Sequence, residues 1–131
     1  SWVPNVGINP LGYHAGLAAE HQVAALYIQR GYRLQAERWR CAEGEIDLIF
    51  VSQNPIELVF VEVKKSYSIA RAATHLRPAQ MRRIYRAAQL SVADQPQGQL
   101  TPMRFDAALV DAIGAVPIVG NAFAELEDFI D

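Results

Sequence analysis

The stretch EIDLIFVSQNPIELVFVEVK, residues 45–64, decides the fold. Its two halves, EIDLIFV at 45–51 and ELVFVEVK at 57–64, are rich in β-branched and aromatic residues, and Ser52-Gln53-Asn54-Pro55 between them is turn chemistry. The spacing predicts two antiparallel strands. Alternation puts Glu45, Asp47 and Ile49 on one face of the first, and Leu58, Phe60, Glu62 and Lys64 on one face of the second. The remaining positions of the second strand are Val59, Val61 and Val63, so it reads as buried on both faces, with Glu62 and Lys64 interrupting core. Charges there are costly unless paired or bound to an ion. A hairpin pivoting about Asn54–Pro55 sets Asp47 opposite Glu62 and Glu45 opposite Lys64. Directly opposed Cβ atoms lie about 5 Å apart, where two ionised carboxylates repel unless a cation lies between them. Taken alone, Glu-x-Lys arises often by chance, and its plain reading is a structural ion-pair network.

The elements around this hairpin complete an α/β domain. Residues 15–30 read as a helix, with Leu17, Val23, Ala24, Tyr27 and Ile28 recurring at helical spacing and Gly31 as a C-cap. Glu20 sits on that stripe and points toward the protein. Residues 32–38 are a weaker strand candidate, which makes a three-stranded meander. Pro78 opens a helix to about residue 93 whose apolar positions Met81, Ile84, Tyr85, Ala88 and Val92 hold one face, with Arg82, Arg83 and Arg86 on the other. MRFDAALV at 103–110 is a further strand, residues 115–119 a short one, and NAFAELEDFI a short terminal helix capped at Asn121. The order αβββαβ predicts helices packed on a mixed central sheet.

Composition bounds the class. A length of 131 residues, 51% of them hydrophobic, suits one domain able to bury a core, with residues 1–14 read as a flexible N-terminal lead and 15–131 as the domain. Cys41, the single cysteine, excludes an intramolecular disulfide and a paired-cysteine zinc site; it reads as a small structural hydrophobe. No Lys or Arg precedes Arg30, and the longest apolar tract, 107–124, is broken by Asp111 and Pro117, so neither a secretory signal nor a membrane span is expected, and a cytoplasmic location is. His14, His21 and His75 have no zinc-site spacing and read as surface or hydrogen-bonded residues. The net charge of −2 argues globally against a polyanionic partner. Its distribution argues the reverse. From Val63 to Ala93 there are seven bases (Lys64, Lys65, Arg71, Arg77, Arg82, Arg83 and Arg86) and no acid, leaving five bases against all fourteen acids elsewhere. A basic run starting beside Lys64 and continuing along a helix face is where a phosphate backbone would be gripped.

Glu20, Asp47 and Glu62, three acids from three elements, with Lys64 beside them, form the arrangement expected of a hard divalent cation on oxygen ligands. At these residues the chain resembles the PD-(D/E)xK nuclease superfamily, with its restriction-endonuclease-like three-layer α/β/α fold. Within that superfamily it is similar to the YraN family, which is related to Holliday-junction resolvases. The resemblance covers residues 16–124 and is carried by GLAAEHQVAALYIQRGY at 16–32, RWRCAEGEIDLIF at 38–50, LVFVEVK at 58–64, RFDAALV at 104–110 and NAF at 121–123. It implies that Asp47 is the central metal-ligand aspartate, Glu62 the acid of the (D/E)xK pair and Lys64 the catalytic lysine. Glu20 matches a helix acid that adds to the metal site, and Gln80 falls where such proteins often carry glutamine. Mg²⁺ or Mn²⁺ on Asp47, Glu62, the Val63 carbonyl and Glu20, with Lys64 beside the attacking water, would hydrolyse phosphodiesters. DNA of branched or non-duplex structure is the implied substrate and a homodimer the implied assembly. Lys65, Arg77, Gln80, Arg82, Arg83 and Arg86 are the expected nucleic-acid contacts. Two departures weigh on those contacts. Ser66 stands where relatives often have Arg, and Ala79 where they often have Lys. Two rival classes stand beside this reading: a non-catalytic nucleic-acid-binding or partner-docking module on the same fold, and an assembly protein acting through the acidic stretch from Asp106 to Asp131.

Overall fold

The computed structural model describes residues 10–120, with one helix on one face of a five-stranded sheet and two on the other. Helix α1 spans Pro10–Gln29 and is followed by strands β1 (Arg33–Cys41), β2 (Gly44–Ser52) and β3 (Glu57–Lys65). Helices α2 (Ile69–Ala73) and α3 (Pro78–Ser91) lead to β4 (Met103–Val110) and β5 (Ile118–Val119). The strands lie in chain order, antiparallel throughout except for the parallel β3–β4 pair, so the sheet is mixed as expected. That one parallel pair forces the crossover carrying α2 and α3.

β3 is the central strand and is buried on both faces. Val59 and Val61 pack with Val23, Ala24 and Tyr27 of α1, while Leu58 and Phe60 pack with Met81, Ile84 and Ala88 of α3. Tyr27 stacks on Phe50 with ring centroids 4.5 Å apart. Cys41 packs against the α3-side core, the structural place its sequence context suggested. The predicted hairpin register is observed from Leu48↔Val61 to Ser52↔Glu57.

Several expectations need correction. Helix α1 begins at Pro10, five residues before the predicted start, because proline suits a helix's first turn; residues 1–9 lie outside the described residues. Ile28 is exposed, since the apolar stripe rotates off the sheet in the last turn. The short helix α2 carried no periodic signal in five residues; Ser68 caps it by accepting from the Arg71 amide. Asp106, the first acid of the stretch considered for assembly, is interior: Tyr27 Oη donates to it at 2.6 Å, and Arg104 donates from Nε and Nη2 at 3.0 Å each. Asp111 likewise closes a turn, accepting from the amides of Ile113 and Ala115. The Asn121 cap, the NAF segment and the terminal helix lie outside the described residues. Among the described residues no helix is long and apolar enough to cross a membrane.

Because Phe60 joins β3 to α3 and stacks on Phe105 at 5.2 Å, Phe60→Ala should destabilise the domain by about 3–5 kcal/mol. Denaturant unfolding measures this; a loss below about 1 kcal/mol would show that β3 is not the centre of the core.

Candidate metal and nucleic-acid site

The site forms where two strands part. β2 and β3 pair as far as Leu48↔Val61; beyond that β2 stays with β1 through Arg40↔Glu45, and β3 stays with β4 through Lys65↔Val110. At the split the Val63 amide donates to Asp47 Oδ2 at 2.8 Å, so a side chain replaces the ladder bond the hairpin would have made. Alternation slips at the same point: Ile46 packs with the α3-side core, and Leu48 and Phe50 with the α1-side core. The pairing of Glu45 with Lys64 does not form. Glu45 instead accepts from Arg40 Nε at 2.7 Å, its partner on β1.

Opposite Asp47 on the other side of β2 is Arg38, which falls between the paired positions Glu37↔Leu48 and Trp39↔Ile46 and has a left-handed φ of 48°. Such a backbone is unusual for a residue with a side chain. Its guanidinium chelates Glu20, with Nε donating to Oε1 and Nη2 to Oε2, both at 3.0 Å. Glu20 therefore points inward as predicted, but to an arginine.

A cleft of about 750 Å³ opens over these residues. One wall is acidic: Glu20 from α1, Glu43 and Glu45 at the β1–β2 turn, Asp47, and Glu62 with Lys64 on β3. The other wall is His75 and Arg77 before α3, with Gln80 and Arg83 on its first turns. Gly44, in the turn between β1 and β2, also lines the cleft, and its φ of +147° is a conformation that favours glycine.

Burial sets the electrostatics of the acidic wall. Glu62 is 5% exposed and lies beside Asp47. Burial first, then the bond to Asp47 and its charge, raise the Glu62 carboxyl far above the ordinary carboxylate range; Lys64 opposes this from 3.7 Å. The Glu20 carboxyl is pushed up to about 7, by burial and then by the Asp47 charge, against the lowering effect of Arg38. Asp47 and Glu62 offer hard oxygen donors on one cleft wall, the ligand type that suits a hard divalent cation. A third acid does not join them: among the described residues no three His, Cys, Asp or Glu side chains are gathered closely enough to hold an ion between them.

The expected residues thus divide. Asp47, Glu62, Val63, Lys64 and Glu20 share one cleft, and of the six expected nucleic-acid contacts Arg77, Gln80 and Arg83 face them across it. Lys65, Arg82 and Arg86 do not line that cleft; Arg86 borders a separate groove with Glu43 and Gln89. His75, read from the sequence as a surface or hydrogen-bonded residue, is exposed, and it lines the cleft. A lone histidine in a short connection carries no periodic signal, and only the fold brings it opposite the acids.

A mixed five-stranded sheet between helices, with two acids and a lysine where the second and third strands part, defines a restriction-endonuclease-like α/β protein. Residues 19–110 match the family described as Uncharacterised protein family UPF0102, and the chain belongs to that family, also called YraN. It is 52% identical over 115 residues to a UPF0102 protein of Roseobacter denitrificans, covering 88% of each chain. A UPF0102 protein of Cereibacter sphaeroides is 53% identical over 114 residues, 87% of this chain and 96% of its own. One from Ruegeria pomeroyi is 55% identical over 109 residues, 83% and 87% of the two chains.

The raised Glu62 carboxyl fixes the sign of the pH dependence of stability. The folded state keeps a proton that the unfolded chain loses near the ordinary value of 4.5, so in cation-free buffer stability should fall as pH rises from about 5 through neutral. Glu62→Gln should flatten that slope and stabilise the protein at pH 8 by more than the ~1.4 kcal/mol of one pKa unit. Thermal unfolding from pH 5 to 9 checks both, and an unchanged slope in the variant would count against a raised Glu62 carboxyl.

Proposed function

We propose that this protein is a metal-dependent nuclease that hydrolyses phosphodiester bonds in nucleic acid, with DNA of branched or otherwise non-duplex structure as its substrate. The observation that carries this reading is buried Glu62 beside half-buried Asp47, with Lys64 3.7 Å from Glu62, facing a basic wall across one open cleft. A protein using this fold only as a scaffold has no need of two such acids and a lysine gathered in a cleft. Asp47 and Glu62, with the Val63 carbonyl, would hold Mg²⁺ or Mn²⁺, which supplies Lewis acidity toward a phosphodiester.

The chain's own groups have definable tasks. The Val63 amide fixes the Asp47 carboxylate, so that side chain is preorganised before any ligand arrives. Lys64 is 17% exposed, a compact cation at the cleft wall suited to orienting the attacking water and offsetting the negative charge that grows on the phosphate. Water oxygen bonds to phosphorus and the bond to the 3′ oxygen breaks, leaving a 5′-phosphate and a 3′-hydroxyl. Arg77 and Arg83 would grip flanking phosphates, with Gln80 between them on the same wall.

Calorimetric titration should show Mn²⁺ binding to the wild type and none to Asp47→Ala. Cleavage of a panel of branched, flapped and single-stranded DNA should fall ~100-fold or more in Glu62→Ala and Lys64→Ala. Full cutting in those variants would sink the mechanism, and DNA binding without metal that survives Asp47→Ala would support a non-catalytic module instead.

Position on the cleft also separates the arginines. Arg77→Glu with Arg83→Glu should weaken DNA binding and reduce its salt slope by about 1 for each lost phosphate contact, whereas Arg82→Glu with Arg86→Glu should do less. Fluorescence anisotropy across a salt series distinguishes the pairs; equal losses would mean that the whole helix, not the cleft wall, is the grip.

A further inference from the structure

We infer that Arg38 is a positioning residue which holds Glu20 out of the metal-ligand set, so that the cation rests on Asp47 and Glu62 and Glu20 serves to keep the arginine in place. This rests on the reading that Asp47 and Glu62 hold a cation.

Three observations carry it. The first is geometric: both Glu20 oxygens are taken by one guanidinium, through Nε and Nη2 at 3.0 Å each, and the two side chains are only 12% and 13% exposed. A bidentate arginine–carboxylate pair is among the stronger side-chain contacts. Glu20 could ligate an ion only by giving up its bonds to that guanidinium. The second is conformational. Arg38 holds a left-handed φ of 48° inside a strand, and the backbone turns there at the position that falls beside Asp47. Backbone of that kind persists where surrounding contacts over-determine it, and the Glu20 chelate is such a contact. The third is the spacing of the acids: Glu20 lines the cleft with Asp47 and Glu62, yet no three acids among the described residues are gathered as one ligand group. Arg38 thus supplies a fixed positive charge at the cleft wall.

The test measures metal binding directly, by Mn²⁺ calorimetry, on the wild type and on Glu20→Gln, Arg38→Met, the double variant and Asp47→Asn, each first shown to be folded by thermal unfolding. Glu20→Gln should leave Mn²⁺ affinity within about twofold of wild type, because its carboxylate is not a ligand. Arg38→Met removes the guanidinium and frees the carboxylate, and should tighten Mn²⁺ binding tenfold or more, or add a second bound ion. In the double variant that gain should vanish. If Arg38→Met does not fold, Arg38→Lys, whose ammonium cannot chelate both oxygens, replaces it with the same expected direction. A tenfold or greater loss in Glu20→Gln, with Asp47→Asn also losing binding, overturns this inference and leaves the Asp47–Glu62 site standing. An absence of Mn²⁺ binding by the wild type, or binding indifferent to Asp47→Asn, overturns both.

Discussion

The bond from the Val63 amide to Asp47, 2.8 Å long, is the contact on which the site's geometry turns. A hairpin between two strongly apolar strands would ordinarily run its ladder to the end, burying both as core. Here the ladder stops at Leu48↔Val61, and a carboxylate takes the next amide. One side chain therefore does two things. It satisfies a backbone donor that strand separation would orphan, and it brings Asp47 against Glu62 at the mouth of the split. β3 meanwhile remains tied to β4 out to Lys65, so Glu62 and Lys64 keep a rigid base while the other flank opens. The cleft follows from that asymmetry rather than from any loop.

Much of this was legible in the sequence because the relevant signals are local and periodic. Two apolar strands about a short turn fix a register, and that register holds from Ser52 to Leu48. It also set Asp47 opposite Glu62; the ladder ends one pair short of them, and Asp47 instead takes the Val63 amide while lying beside Glu62 in the cleft. What alternation could not foresee was the point where it fails. Period-2 reasoning assumes an unbroken pleat, so it carried Glu45 on to Lys64 across a gap where β2 has already turned to β1 and Arg40. Arg38 was invisible for a similar reason. Its backbone conformation belongs to a single residue, and its partner lies 18 positions away on another element. The basic run suffered the opposite fault: a count along the chain treats Arg82, Arg83 and Arg86 alike, whereas a helix turns 100° per residue and presents only Arg83 of the three, with Arg77 and Gln80, to the acids.

The two faces of the sheet show how the same chain treats a buried acid when nothing but stability is at stake. Asp106, 1% exposed, receives three charge-assisted or hydroxyl hydrogen bonds, from Tyr27 and twice from Arg104, and Arg104 is itself held by Tyr32 and Glu57. Burial first and then the bond to Asp106 hold the Tyr27 hydroxyl in its protonated form, the bond to Asp106 does the same for the Arg104 guanidinium, and the group reads as a structural network. Glu62, nearly as buried, has a second acid beside it and a lysine ammonium at 3.7 Å, beyond hydrogen-bond reach. An acid quenched by arginine and tyrosine has no further demand to make of its surroundings. A buried carboxyl raised by burial and by a neighbouring acid is one that added positive charge would ionise, and a divalent cation on oxygen ligands would supply that charge. The difference between these two buried acids, on one sheet and in one solvent, is why the Asp47–Glu62 end is read as chemistry and the Asp106 end as architecture.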